Sequence, residues 1–449
     1  MSTTNKTNNH ASRQPLPSLT GGVGGGSLGG GSVLLFIELV IITIVAWVVF
    51  DPAIVNLYYR SLPSGYDTDR LLYAEVSVSA MGEDTGDPYE ATEERRMRLL
   101  RQLKAVEGIE NVYLYDQTYH ALGHDRHSYW MVPHGKDTLM VTNIEFIPDA
   151  NFFETYGLRP LPGSPSAEEL SRLSYNSLQA VLTRSAAIAV FGTEDVMGRH
   201  FQFITDPPLQ RTVAGVVEDV RVSVPTAERA CIIMPSQLLS NTVRIIIRLK
   251  DGINLQHYLE QHRRDLVRGG QTDFCRISRV MTYEEHLAKM ELAAGRTQEV
   301  NRSLALALFF LLNLILAVIG TVWLQAKRRT EECGVRRAFG ATRPRLLAGF
   351  LGRGALMATA AVVIGCIIFL NYAYSGLSTV DGIEQFETMY INFASYLPAD
   401  RTWVDGFWSH FFVVSACVYL IILLTVLIGT AIPAWRITRT NINEALKDE

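Results

Sequence analysis

Four stretches of the 449-residue chain are apolar for long enough to cross a bilayer. A helix needs roughly 20 mostly apolar residues to span about 30 Å of hydrocarbon. Residues 33–50 meet that need with Glu38 as their interruption, and residues 304–323 with Asn313 as their strongly polar member. Residues 355–370 and 411–432 supply the third and fourth spans. Between the first two spans the period changes. Residues 72–79 (LYAEVSVS) alternate as a half-buried strand does, and residues 111–115, 212–217 and 242–249 also read as strands. Residues 92–106, 167–189 and 255–267 carry helical spacing. Strands and helices do not alternate regularly, which predicts an α+β domain of two lobes. A last helix, residues 283–300, reads as a stalk running without a break into the second span.

The fold class expected is an α-helical membrane protein with four transmembrane helices. A two-lobed α+β extracytoplasmic domain lies between helices 1 and 2. The divisions are a flexible leader (1–32), helix 1 (33–50), the external domain with its stalk (51–302) and helix 2 (303–325). A basic loop (326–353), helix 3 (354–372), an external loop (373–410), helix 4 (411–432) and a tail (433–449) follow. The first apolar run exceeds the length of a signal-peptide core and no A-x-A site follows it, so it reads as a retained helix. The leader contains GGVGGGSLGGGS, which reads as a flexible linker by composition.

Charge sets the orientation. Lys327, Arg328, Arg329, Arg336, Arg337, Arg343, Arg345 and Arg353 lie between helices 2 and 3, whereas residues 371–410 hold Arg401 alone. Short basic loops stay on the cytoplasmic side, so this loop, the tail with Arg436, Arg439 and Lys447, and the N-terminus are expected there. Composition agrees with a mixed membrane and soluble chain: 48% hydrophobic and 19% charged residues. A net charge of −4 suggests no nucleic-acid partner.

Candidate chemistry is sparse. The five cysteines, Cys231, Cys275, Cys333, Cys366 and Cys417, have no metal-ligand spacing. Cys231 and Cys275 both fall outside the spans, where an oxidising compartment permits a bridge. His120, His124 and His127 (HALGHDRH) cluster, but Gly123 and Asp125 interrupt a helix, and a solvated loop is the better reading than a metal site. Glu38 is read as reaching the interface or a neighbouring helix, and Asn313 as making an interhelical hydrogen bond. No nucleophile–base or carboxylate pair is located by spacing, so no catalytic residue is expected. No G-x-x-x-x-G-K-[ST] occurs in the sequence, which rules out a Walker A loop within it.

The order of residues inside the basic loop adds more than its charge. RRTEECGVRRAFGATRPRLL resembles the segment after the second membrane helix in FtsX/MacB-type permeases of ABC transporters, approximately R-x-x-E-I-G-x-R-R-A-L-G-A. Arg329, Glu332, Gly334, Arg336, Arg337, Ala338, Gly340 and Ala341 fall on the matching positions. Cys333 stands where an aliphatic residue is usual, and Glu331 where a basic one is common. The ending IPAWRITRTNINEALK is similar to the family's tail through Pro433, Ala434, Arg436, Ala445 and Leu446, with Asn443 replacing a second proline. Residues 149–162, AVLTRSAAIAVFGTEDVMGRHF and RTVAGVVEDVR are similar to the family's periplasmic core.

The resemblance implies a short docking helix in the loop, with Val335, Ala338, Phe339 and Ala341 on its apolar face. It implies a non-catalytic permease subunit of the bacterial inner membrane, with its large domain periplasmic. The expected partners are an ABC ATPase, which would hold the Mg-ATP since no cofactor is expected here, and a second permease chain, identical or different. A membrane-fusion adaptor and an outer-membrane duct are expected further partners, as is the lipid bilayer itself. The work expected is export of periplasmic substrates or lipoprotein release by mechanotransmission. Two alternatives are an FtsX-like scaffold that controls a cell-envelope enzyme without transport, and a sensor or adhesion protein without an ATPase.

Overall fold

The computed structural model describes residues 30–78, 97–116, 122–123, 128–222, 229–236, 243–270, 275–293, 295–328, 336, 339–374, 397–398, 402–404 and 406–439. Among these, four helices are long and apolar enough to cross a membrane. They are α1 (Gly30–Ser61), α8 (Arg296–Arg328), α9 (Arg343–Tyr374) and α10 (Phe407–Arg439). At 1.5 Å per residue each is about 48–50 Å long, well beyond the hydrocarbon thickness, so each extends into water.

The helices run past the apolar spans read from the sequence. The third helix begins at Arg343, inside the expected basic loop, and the fourth continues through Pro433 to Arg439. The first helix runs on to Ser61, with Pro52 at the end of its apolar run. A proline there leaves its missing donor near water rather than in hydrocarbon.

The helices share one apolar core, in which Leu39, Trp47, Val318, Ala361, Phe369, Val418 and Ile422 are buried. Small residues set the spacing. A Cβ on Gly365 of α9 would stand 2.7 Å from Thr43 of α1, so only glycine admits this approach.

The extramembrane domain holds two sheets. The first has the order β10-β1-β9-β2, from β1 (Leu71–Val78), β2 (Ile109–Asp116), β9 (Val243–Leu249) and β10 (Cys275–Thr282), with every neighbour antiparallel. A helix α2 (97–104) follows β1, and α6 (Leu255–Gly269) joins β9 to β10. This is a split βαβ lobe. Leu71, Leu72, Tyr73 and Ala74 are buried in succession, so the sheet is covered on both faces.

The second sheet is inserted between β2 and β9 except for its last strand, which comes from the connection between α9 and α10. It comprises β3 (Ser128–His134), β4 (Asp137–Phe146), β5 (Gln179–Thr183), β6 (His200–Phe203), β7 (Leu209–Val217), β8 (Cys231–Pro235) and the short β11 (Leu397–Pro398). It curls until β3 meets β6: the Ile204 amide donates to the Met131 carbonyl at 2.8 Å, and Trp130 stacks on Phe203. Curling removes the exposed edges that a flat sheet would present.

Residues 167–189 do not form one helix. They divide into α4 (Ala167–Ser171), the strand β5 and α5 (Arg184–Phe191). Buried Ala180, Val181 and Leu182 form a short apolar run, which helical periodicity alone cannot tell from a strand. Cys231 is a buried residue of β8 whose thiol donates to the Val220 carbonyl at 3.5 Å, whereas Cys275 opens β10 in the other sheet.

The two lobes share a core. Phe146, Ile233 and Val217 of the curled sheet join Tyr113, Ile246 and Leu266 of the other lobe, with Phe152, Phe153 and Tyr156 of α3 (Phe152–Tyr156) between them. The expected unbroken stalk is interrupted. Helix α7 (Tyr283–Ala293) stops, and Gly295 takes φ +76° before α8 starts. The Gly295 carbonyl accepts from Glu299, the first bond of the new helix, at 3.1 Å. A left-handed residue at this joint is why the helical pattern, read as one element, is two.

Candidate functional site at the two ends of the helix bundle

At the basic end, Arg336 is helical and the chain reverses over Phe339 and Gly340 before α9 begins. Gly340 has φ +91°, and the Ala341 amide donates to the Arg336 carbonyl at 3.0 Å. This six-to-one bond with glycine in the left-handed position is a Schellman ending. The Arg336 carbonyl and the Ala341 amide are thus brought together, with Gly340 in the left-handed conformation between them. The ending leaves Phe339 88% exposed, with Arg336, Arg343 and Arg345 exposed on the same segment.

The tail positions lie beside this end. Pro433 and Ala434 are buried in α10, Arg436 belongs to the same helix, and Trp435 is 51% exposed. Gly354 of α9 approaches Thr430, since a Cβ there would meet the Thr430 hydroxyl at 3.3 Å. The structure thus brings Arg336, Gly340 and Ala341 into one turn and places Pro433 and Ala434 in the bundle. Arg329, Glu332, Gly334, Arg337, Ala338, Ala445 and Leu446 lie outside the described residues, as do His120, His124 and His127. Glu38 is half-buried in α1.

The domain end is built differently, and sequence reading passed over it. His410, at the start of α10, is 3% exposed, and its Nε2 lies 2.6 Å from Asp51 Oδ1 on α1. Its Nδ1 lies 3.0 Å from the Val404 carbonyl. Trp47 covers the pair, stacking on Phe369 at 4.1 Å and donating from Nε1 to Ser415 at 3.0 Å. Trp403 stands edge-on to His410 and packs on Tyr58.

One step outward, Arg221 closes the joint between α1 and the domain. It is 6% exposed and its guanidinium donates to the Tyr59 carbonyl, while its own amide donates to Ser64 at 2.8 Å. Burial pulls its pKa down; nearby Tyr66 and Glu291 act the other way. Burial pushes the Tyr66 phenol far up, which Arg221 offsets in part, so Tyr66 stays neutral. Arg60 of α1 pairs with Glu291 of α7 at 3.1 Å. Deeper in, Arg248 is buried against Asp67 at 2.8 Å and donates to the Thr155 carbonyl at 3.2 Å.

Asp51 and His410 each stand next to an apolar run, a position read as a loop boundary. The available signal was that both border a span on the same side. Their separation of 359 residues hides the pairing. Asn313 also departs from expectation. Its Nδ2 donates to Phe309 of its own helix at 2.8 Å, and the side chain faces out of the bundle.

Comparison with known proteins follows this division. Residues 304–442 match the family described as FtsX-like permease C-terminal, and residues 40–264 the MacB-like periplasmic core domain. The macrolide export ATP-binding/permease protein MacB of Campylobacter jejuni is 25% identical over 199 residues. That alignment covers 42% of this chain and 29% of the relative, so this chain spans under a third of the relative's length. Among solved structures, the periplasmic region of MacB from Actinobacillus actinomycetemcomitans aligns at 16% identity and a TM-score of 0.29, over 51% of this chain and 94% of that one. The extracellular domain of the noncanonic ABC-type transporter YknZ from Gram-positive bacteria aligns at 12% identity and a TM-score of 0.27, over 46% and 100%. With the MacB-like domain match covering half its length and the FtsX-like match covering its last three membrane helices, this chain belongs to the FtsX/MacB-type ABC permease family.

Proposed function

We propose that this chain is a permease subunit that relays the work of a separate ABC ATPase to its outer domain. In this reading the basic end is cytoplasmic, following the placement of its cations. Two permease chains sit over two ATPase copies, which hold the Mg-ATP. The observation that carries the reading is the Schellman-ended turn, which presents Phe339 at 88% exposure among Arg336, Arg343 and Arg345. A bulky apolar side chain among cations fits a groove on a partner with acidic surroundings.

ATP binding closes the ATPase pair under these turns, α8 and α9 shift, and the displacement reaches the domain through the joint at Arg221, Arg60 and Glu291. The domain then works on a substrate outside the membrane. Export through an adaptor and an outer-membrane duct is favoured over lipoprotein release, because the curated relative is named for macrolide export.

Co-expression with an ABC ATPase encoded beside this gene, followed by affinity purification, tests the reading. The ATPase is expected to co-purify with the native chain and to be lost with Arg336→Glu plus Arg337→Glu. Failure of any such ATPase to bind, or binding unaffected by the double substitution, overturns it. Substrate efflux measured with and without the gene separates transport from regulation.

A further inference from the structure

His410 has an oxygen acceptor at each of its ring nitrogens. Its Nδ1 lies 3.0 Å from the Val404 carbonyl, which can only accept, so Nδ1 carries a hydrogen. Its Nε2 lies 2.6 Å from Asp51 Oδ1. A nitrogen lone pair facing a carboxylate oxygen at that distance is repulsive, so one proton sits between the two atoms. The ring therefore needs one proton more than a neutral histidine beside a carboxylate supplies. Burial sharpens the requirement, since the His410 side chain is 4% exposed and that of Asp51 15%, which leaves little water to replace either bond.

The walls of the site are aromatic. From α1 the ring meets the Asp51 carboxyl and the face of Trp47, at 6.0 Å between centroids. The connection between α9 and α10 presents Val404 and the edge of Trp403. Phe369 of α9 and Phe411 of α10 back Trp47, and Tyr58 of α1 backs Trp403. Arg401 and Asp405, which flank these contacts in sequence, lie outside the described residues.

Loss of the shared proton has a definite outcome. The one hydrogen left on the ring goes to the nitrogen with the stronger acceptor, and a buried carboxylate outweighs a neutral carbonyl. Nε2 then keeps Asp51, and Val404 loses its donor. Val404 stands six residues after Pro398, which pairs with β4 of the domain. Six residues span at most about 22 Å when extended. A domain that draws β4 further away than this pulls directly on Val404.

We propose that Asp51 and His410 form a proton-operated latch, in which one shared proton holds the α9–α10 connection, and through it the domain, against the helix bundle. Raising the pH opens the latch by freeing Val404. By linkage, a domain movement that pulls Val404 off His410 releases a proton at this end of the bundle. The latch is independent of what the basic end binds.

Hydrogen–deuterium exchange on the full chain in lipid nanodiscs tests this, from about pH 5 to about pH 10, with intrinsic rates corrected. Peptides covering Thr402 to Val404 are expected to lose protection about tenfold as the pH rises, while peptides from Val414 to Ile422 keep theirs. Asp51→Asn puts an amide in place of the carboxyl. That amide donates to Nε2 and leaves the Nδ1 hydrogen for Val404 without an extra proton, so protection should stay high across the range. An ion pair with a merely structural role would be broken by this change at every pH. His410→Phe keeps a ring between Trp47 and Trp403 but removes both donors, so protection should be low and flat. Native protection that does not vary with pH overturns the proposal. So does Asp51→Asn that is unprotected throughout or keeps the native pH dependence, and this variant decides the matter even where His410→Phe fails to fold.

Discussion

The two ends of one helix bundle solve opposite problems. At the domain end the polar groups are buried and matched: His410 to Asp51 and Val404, Arg221 to Tyr59, Trp47 to Ser415. At the basic end, Arg336, Arg343, Arg345 and Phe339 are exposed. A buried, hydrogen-bonded group is costly to disturb, whereas an exposed one contributes little to folding and is open to a partner. Stability rests on the domain end, and under the proposed function association falls to the other end of the same rods.

This contrast orders the expected effects on stability. Trp47→Ala should cost most, about 3–5 kcal/mol, because a fully buried aromatic leaves a cavity and Ser415 loses its indole donor. Thermal unfolding in detergent reads it, and a shift no larger than that of an exposed substitution would erase the contrast. Arg221→Met follows at about 1–3 kcal/mol, since the Tyr59 carbonyl loses its buried donor. Gly340→Ala costs about 1–2 kcal/mol through a Cβ at φ +91°. Phe339→Ala should leave unfolding within about 0.5 kcal/mol yet lower ATPase recovery about tenfold. Its two readouts, taken together, are the sharpest test of the comparison.

The smallest effect lies in the domain, away from both ends. Backbone and side-chain bonds from Ser166 hold the Glu169 carboxyl below its ordinary value, with Arg172 adding to the shift. A lowered folded-state pKa stabilises above the unfolded value and loses that contribution as pH falls through the folded one. Glu169→Gln should therefore lower the unfolding temperature slightly at neutral pH. The difference should vanish below the carboxylate range.

Reading the chain locally recovered what local patterns encode. The four spans stand out because about 20 apolar residues have few other uses, and LYAEVSV shows its strand by alternation. The amphipathic α6 was equally visible in its helical spacing. What failed was either ambiguous or long-range. The strand β5 was absorbed into a helix, and the break at Gly295 was missed because a single glycine inside helical spacing is usually tolerated. In the candidate site, Gly340 and its neighbours were singled out by the family-like order of residues in the loop, not by a turn signal. Asp51 with His410 and Arg221 with Tyr59 were not, since only the folded chain brings them together.

The short strand β11 carries a mechanical consequence. The domain is already attached to the bundle where the chain leaves α1 and where it enters α8. Leu397 and Pro398, from the connection between α9 and α10, pair in parallel with Leu139 and Met140 of the curled sheet. A body mounted at two points can tip about the line between them. The pairing of Leu397 and Pro398 adds a third constraint on that motion.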